Sequence, residues 1–407
     1  MGTVAQEALQ DLGGQGMRTV ALARKILPKD ANVDEDTAES SLTFLGIAGI
    51  IDPPRQEVRE ALVKTHDAGI RVIMITGDSP DTALAVARQI GLQAEKAVTG
   101  PELSAMSDKA LANLLRRGVI FARTVPEDKF RIVRLLQAEG HLVAMTGDGI
   151  NDAPALKQAD IGIAMGIRGT DVAKGASDMV LSDDNFVSIV SAVEEGRRQY
   201  ENIRKFVHYL TSSNIGETLA IFCAILFGWP LILLPIQILW VNLVTDSITA
   251  LSLSVEKAES DVMQEPPRPI AQKILDRQTI VILGLFGSYI CLITLIIFYL
   301  YNDLDYARAN TMAFTTMVVA ANIHTLNFRS LRAPLYVKGW FTNPWLVAAM
   351  ILMLLLQVSA LYAPGLQQAL NTVPLGWQEW GLIFALSLPL FIGTELYKTI
   401  KYRRGVV

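Results

Sequence analysis

Thr146-Gly147-Asp148-Gly149-Ile150-Asn151-Asp152-Ala153-Pro154-Ala155-Leu156 follows directly on the apolar segment His141–Met145, and it places two carboxylates and an amide on a glycine-rich turn. Open α/β sheets collect their ligands beyond the carboxyl ends of strands, so the turn stands where a site is expected. Glycine lets backbone approach a phosphoryl oxygen closely, and Asp148 and Asp152 offer the hard oxygen ligands that Mg²⁺ prefers. An isolated Asp-Gly pair would be an ordinary loop signal; the eleven-residue run is far more specific.

Outward from that run, apolar strands are expected at Leu42–Ile51, Ile70–Ile75, Val119–Ala122, Leu142–Met145 and Ile161–Met165. They alternate with helical stretches at Arg55–Ala68, Pro80–Ile90 and Asp128–Ala138. Such a βαβ rhythm favours a parallel sheet wrapped by helices, an α/β domain. Two further loops end at the same edge. Thr76-Gly77-Asp78 brings a hydroxyl and a free amide after the second strand; it also reads as a helix start, with Ser79 as N-cap and Pro80 in the first turn. Lys129 opens the helix after Arg123-Thr124-Val125-Pro126, where it either meets phosphate as a point charge or lies solvated on the surface.

Half of the chain has a different character. Of 407 residues, 51% are hydrophobic, and the excess falls after residue 205. A helix of about 20 residues spans the roughly 30 Å of bilayer hydrocarbon. Six spans meet that length, at Val207–Phe227, Leu231–Leu253, Thr279–Tyr301, Thr311–Leu326, Trp345–Tyr362 and Trp377–Tyr397, the fourth being the least apolar. An all-α membrane bundle of six transmembrane helices is therefore expected to follow the α/β domain. Arg204 and Lys205, Lys257 to Arg277, Arg329 to Lys338, and Lys401 to Arg404 crowd alternate loops. That asymmetry puts both termini and the soluble part in the cytoplasm.

A net charge of −4 gives no case for nucleic acid. The two cysteines, Cys223 and Cys291, fall inside expected spans and read as packing residues. The amino-terminal stretch MGTVAQEALQDLGGQG has no apolar core flanked by basic residues and is not expected to act as a signal peptide.

Within the spans, polar groups are costly and informative. Asn214 and Glu217 are three apart in the first; Asn242, Thr245 and Asp246 stand at i, i+3 and i+4 in the second. Facing one another they form an all-oxygen set suited to a hard cation, or, for Asn214 and Thr245, hydrogen bonds between helices. Gly284, Gly287 and Ser288 read as close-packing positions of the third span.

The hinge run, with LGIAGIIDPPR (45–55), MITGD (74–78), FARTVPEDK (121–129) and LWVNLVTD (239–246), resembles P-type cation-transporting ATPases, most of all their calcium-pumping branch. The resemblance covers nearly the whole chain and implies a haloacid dehalogenase-like fold for the soluble part. It divides the chain into a remnant of a nucleotide-binding domain (1–40), an incomplete phosphorylation domain (41–200) and a transmembrane domain (201–407).

It further implies phosphate contacts from Thr76, Lys129 and Asn151, Mg²⁺ on Asp148, support from Gly77, Asp78 and Asp152, and a cofactor contact from Arg123. ATP would be the cofactor of the complete pump, and the Asp148 region would act through the Gln199–His208 segment on the ion-binding spans. Ca²⁺ is the favoured cargo because Asn242 stands where sodium-potassium pumps have aspartate, with Na⁺ or another cation as the alternative. Ala321 falls where the calcium pump has an acidic ligand, with His324 a turn later as a packing or hydrogen-bonding residue.

The Asp-Lys-Thr-Gly-Thr motif of the phosphorylated aspartate is not in this sequence. The chain is accordingly expected to resemble the carboxyl-terminal half of a pump, to form no phosphoenzyme alone, and to need a separate amino-terminal half as partner besides membrane lipid. A non-catalytic cation-binding or pump-regulating membrane protein is the reading from another class.

Overall fold

The computed structural model describes residues 2–15, 17–27, 38–50, 53–259, 261–269 and 271–404. Ile51 and Asp52 of the 45–55 motif, and residues 28–37 of the first segment, lie outside the described residues. The chain forms two compact units, residues 1–193 with 263–267, and residues 194–262 with 268–407.

In the first unit, β1 (Arg18–Arg24) and β2 (Thr43–Ile50) make an antiparallel pair with an irregularity at Leu22/Ala23. This corrects the expectation for Leu42–Ile51, which is no member of a parallel sheet. A parallel strand is covered on both faces, whereas Phe44, Leu45 and Ile50 of β2 are exposed.

Six further strands carry the βαβ rhythm: β3 (Met74–Ile75), β4 (Lys96–Thr99), β5 (Val119–Ala122), β6 (Ala144–Gly147), β7 (Ile161–Met165) and β8 (Met179–Leu181). All pairs among them are parallel. They form two three-stranded sheets, in the orders β3-β5-β4 and β6-β7-β8, rather than one continuous sheet. Strand β5 is the centre of the first, with Val119, Ile120, Phe121 and Ala122 all buried. Strands β4 and β8 were not anticipated, since three or four residues give no readable period.

The helices α1 (Gly2–Gly14), α2 (Glu57–Asp67), α3 (Pro80–Ile90), α4 (Gly100–Ala105), α5 (Asp108–Leu115), α6 (Pro126–Ala138), α7 (Ala153–Gln158) and α8 (Asp171–Ala176) complete the described part of this unit. Helix α3 begins as its sequence predicts: Ser79 Oγ accepts from Thr82 N at 3.2 Å, and Gly91 closes the helix at φ 79°.

Helix α9 (Phe186–Leu226) runs unbroken for 41 residues, beginning in the first unit and ending in the second. Among the described residues, five helices are long and apolar enough to cross a membrane: α9, α10 (Pro235–Leu253), α11 (Arg277–Asn302), α13 (Pro344–Tyr362) and α14 (Trp377–Arg403). The fourth expected span forms as α12 (Tyr306–Thr325) but falls short of that measure. It is buried along nearly its whole length, so its Thr and Asn side chains meet protein. Thr311, Thr316 and Thr325 hydroxyls return to carbonyls one turn back, which removes the need for an apolar surface.

Helices α9 and α11 touch backbone to backbone. A Cβ on Gly287 would lie 2.5 Å from Ile215 Cγ2, and one on Gly216 would lie 3.0 Å from Gly287 O. The expected close packing thus holds at Gly287. It does not extend to Gly284, where a Cβ would meet nothing within 4 Å, or to Ser288, which is exposed.

Near the end of α10, Arg329 and Glu256 form an ion pair at 3.1 Å with side chains 1% and 0% exposed. Arg329 also donates to Gly339 O, Trp340 O and Thr342 Oγ1, and Asn343 Nδ2 donates to Glu256. Removing one charge of such a pair strands the other in a low-dielectric interior. Arg329→Ala is therefore expected to destabilise the second unit by about 3–5 kcal/mol. A detergent melting curve that matches the parent would refute this.

Candidate functional site

Strand β6 delivers the hinge run. Gly147 ends the strand against the Asp152 side chain, and a Cβ there would sit 2.5 Å from Asp152 Cβ, so only glycine fits without displacement. Asp152 is buried at 5% exposure. Its Oδ1 lies 2.5 Å from Lys129 Nζ, and its Oδ2 accepts from Asp148 N and Gly149 N, both at 3.2 Å.

Asp152 and Lys129 therefore hold each other and fold the turn, while the Asp148 and Asn151 side chains remain exposed. The backbone of Asp148 is fixed from a second side by Thr170 N, which donates to its carbonyl at 2.9 Å. The loop leading to Thr170 is locked in turn by Asp184, which accepts from Gly166 N, Ile167 N and Arg168 N at 2.7, 3.0 and 2.8 Å. Those amides, that of Ile167 foremost, lower the Asp184 carboxyl below its usual range.

The loop after β3 is built differently. Thr76 Oγ1 donates to Asp78 Oδ2 at 3.0 Å and accepts from Asp78 N at 3.1 Å, so the two residues the sequence singles out close a small turn on each other. Thr124 N and Oγ1 donate to Thr76 O, and Arg123 N donates to Asp78 O with Arg123 at φ 50°. Gly77 and the Arg123 side chain are exposed. A chain of contacts thus links Thr76 to Thr124, and then, through α6, Lys129 to Asp152 and the hinge turn. Asp128, buried against Gly100 and accepting from Val125 N at 3.1 Å, sets the start of α6. Sequence reasoning missed it, although an acidic residue in the third helical position is a capping signal.

In the second unit, α10 is α-helical over Pro235–Leu239 and Ser247–Leu253 but π-helical over Trp240–Asp246. The segment carrying Asn242, Thr245 and Asp246 is the irregular one, a geometry that recurs at functional sites. Glu217 and Asp246 are both buried, at 6% and 1% exposure. Asn242 Nδ2 donates to Glu217 Oε1 and Oε2 at 3.2 and 3.1 Å, and Tyr209 OH donates to Asp246 Oδ1 at 2.9 Å. Asp246 Oδ2 and Ser213 Oγ are buried without a hydrogen-bond partner. The Thr245 hydroxyl donates to Val241 O at 2.7 Å.

Asn214 departs from this cluster. It is exposed and lines an open cleft of about 420 Å³ with Thr211 and Thr218. The face that Glu217 shares is the i, i+4, i+8 row of Tyr209, Ser213 and Glu217, a spacing legible in the sequence and overlooked in favour of Asn214. His324 is held by Ser212 Oγ at 3.0 Å and Asn327 Nδ2 at 2.9 Å, between the rings of Phe286 and Phe328. Among the described residues no three His, Cys, Asp or Glu side chains converge as a metal site. A cation at Glu217 and Asp246 would draw on amide and hydroxyl oxygens as well.

Two family profiles match the chain in succession: a haloacid dehalogenase-like hydrolase over residues 6–160, and the carboxyl-terminal region of cation-transporting ATPases over residues 230–400. Among similar proteins, the calcium-transporting ATPase of Bacillus subtilis is 43% identical over 95% of this chain and 44% of its own length. Calcium-transporting ATPase 3, endoplasmic reticulum-type, of Arabidopsis thaliana is 40% identical over 97% of this chain and 43% of its own. Calcium-transporting ATPase 1 of Lactococcus lactis is 40% identical over 95% and 44%. The chain spans less than half the length of these curated relatives.

The two hinge aspartates should separate on substitution. Asp152→Ala removes the buried partner of Lys129 and the oxygen that accepts from two backbone amides, and is expected to lower stability by about 1–3 kcal/mol. Asp148→Ala, at an exposed carboxylate, should stay within about 0.5 kcal/mol of the parent. Thermal melts of both variants check this, and equal losses would show that Asp152 does not hold the turn.

Proposed function

We propose that this chain belongs to the P-type cation-transporting ATPase family, whose profiles and calcium-transporting members it matches, and that it supplies the magnesium and phosphate hinge and the membrane cation site of an ATP-driven Ca²⁺ pump. One observation carries the proposal. Two carboxylates are buried on adjacent membrane helices, and Asp246 Oδ2, with only the Ser213 hydroxyl beside it, completes no hydrogen bond of good geometry. A buried anion is tolerated only when compensated, and a hard divalent cation compensates two carboxylates while accepting neutral oxygens beside them. Asn242, Thr245 and Tyr209 then act as positioning groups or further oxygen ligands. Asn214 joins this set only with a partner element on its exposed face.

At the hinge, Asp148 suits Mg²⁺, which keeps several waters and takes one or two carboxylates. Asp152, engaged by Lys129, holds the turn that presents it. Bound there, Mg²⁺ would neutralise charge on a transferring phosphoryl group. Thr76, with Gly77 and Asp78 shaping its turn, Lys129 and Asn151 are the phosphate contacts of this proposal, and Arg123 is its contact to ATP. The acceptor aspartate is not among these residues, so activity is proposed only together with an amino-terminal half that supplies it, on the same polypeptide or another. Helix α12 would be the sixth span, sheathed by its neighbours, with both termini cytoplasmic.

Two measurements test the proposal. The 407-residue chain alone should take up no acid-stable label from ATP. Combined with an amino-terminal half bearing the acceptor aspartate, it should show Ca²⁺-stimulated ATP hydrolysis, reduced at least about 100-fold by Asp246→Ala, as expected when a charged ligand is lost. Stimulation that survives the substitution would place the ion site elsewhere.

A further inference from the structure

The segment ahead of α11 and the first turn of that helix enclose an open cleft of about 700 Å³, lined by Gln272, Lys273, Leu275, Arg277, Ile280 and Val281 among others. Its apolar lining is exposed, Ile280 and Val281 being 51% and 57% accessible. Lys273 and Arg277 line the same cleft.

Several other basic residues of the second unit are taken up in ion pairs. Lys205 and Lys338 each pair with Glu259 at 3.2 Å, Arg329 with Glu256 at 3.1 Å, Arg332 with Asp261 at 3.4 Å and Lys398 with Glu395 at 3.1 Å. Lys273 and Arg277 make no ion pair among the described residues. The acid in the cleft, Asp276, is turned to the helix, accepting from Thr279 N at 2.7 Å as its N-cap. Arg204 of α9 adds a third positive charge within electrostatic range of Asp276.

Two cations in no ion pair among the described residues stand at the start of a membrane-length helix, in one cleft with exposed Ile280 and Val281. Free phosphate would answer only the charge, and a neutral lipid only the apolar lining. A lipid with a phosphate monoester or diester and acyl chains answers both. We infer that this cleft holds the headgroup of an anionic phospholipid, with Lys273 and Arg277 on the phosphate and an acyl chain along Ile280 and Val281.

The test uses the full chain in detergent, supplied with phosphatidylglycerol or phosphatidylcholine in mixed micelles, with retained lipid counted by native mass spectrometry. Selective retention of phosphatidylglycerol is expected. It should fall roughly five-fold for each basic residue removed, through Lys273→Ala and then Lys273→Ala with Arg277→Ala. The charge-preserving pair Lys273→Arg with Arg277→Lys should keep it, which guards against loss through misfolding. Arg403→Ala with Arg404→Ala, basic residues outside the cleft, should leave it unchanged.

Equal retention of the two lipids, an equal fall in the control pair, loss in the charge-preserving pair, or displacement by excess inorganic phosphate would each overturn the inference.

Discussion

The second unit depends on how two carboxylates are kept inside an apolar bundle. Glu217 is answered by the Asn242 amide and Asp246 by the Tyr209 hydroxyl, neutral donors that stabilise a buried anion only in part. One oxygen of Asp246 is left unanswered. The surrounding structure serves this pair. Gly216 and Gly287 bring α9 and α11 into contact, and the π-helical stretch of α10 turns Asp246 and Asn242 into the bundle. The π-helix, glycine contact and buried tyrosine are separate features of sequence, and each is explained by the same need.

The soluble unit solves a different problem with the same residue type. Its two hinge aspartates look equivalent in the sequence, yet one is buried and paired while the other is exposed. Asp152 ties α6 to the turn after β6 through Lys129, and its second oxygen gathers the amides of Asp148 and Gly149. Local charge is thereby used for rigidity at one position and left exposed at the other. Asp184 and Thr170 repeat the device one loop away, with backbone amides as donors.

Much of this was legible before any coordinates. The parallel strands β5, β6 and β7, the capped start of α3, the long apolar spans and the acidic positions Glu217 and Asp246 follow from periodicity, N-cap chemistry and hydropathy. Strand β2 was misassigned because an apolar run does not say whether both of its faces will be covered. Helix α12 forms where a fourth span was expected, but it is buried in protein along most of its length and falls short of membrane-spanning hydropathy. Asn214 was grouped with Glu217 by spacing, and Tyr209 was passed over because an aromatic in a span reads as packing.

By itself the sequence determined which chemistry is present: hard oxygen ligands at a strand end, carboxylates within membrane-length helices, and basic residues in alternate loops between them. Only the tertiary structure decided which of those groups is already engaged. It gave Asp152 to Lys129, left Asp148 exposed, put Asn214 outside the cluster, and left Lys273 and Arg277 in no ion pair among the described residues. The physical reason is that a side chain's valence is filled by neighbours distant in sequence, and no local pattern records which of them arrive.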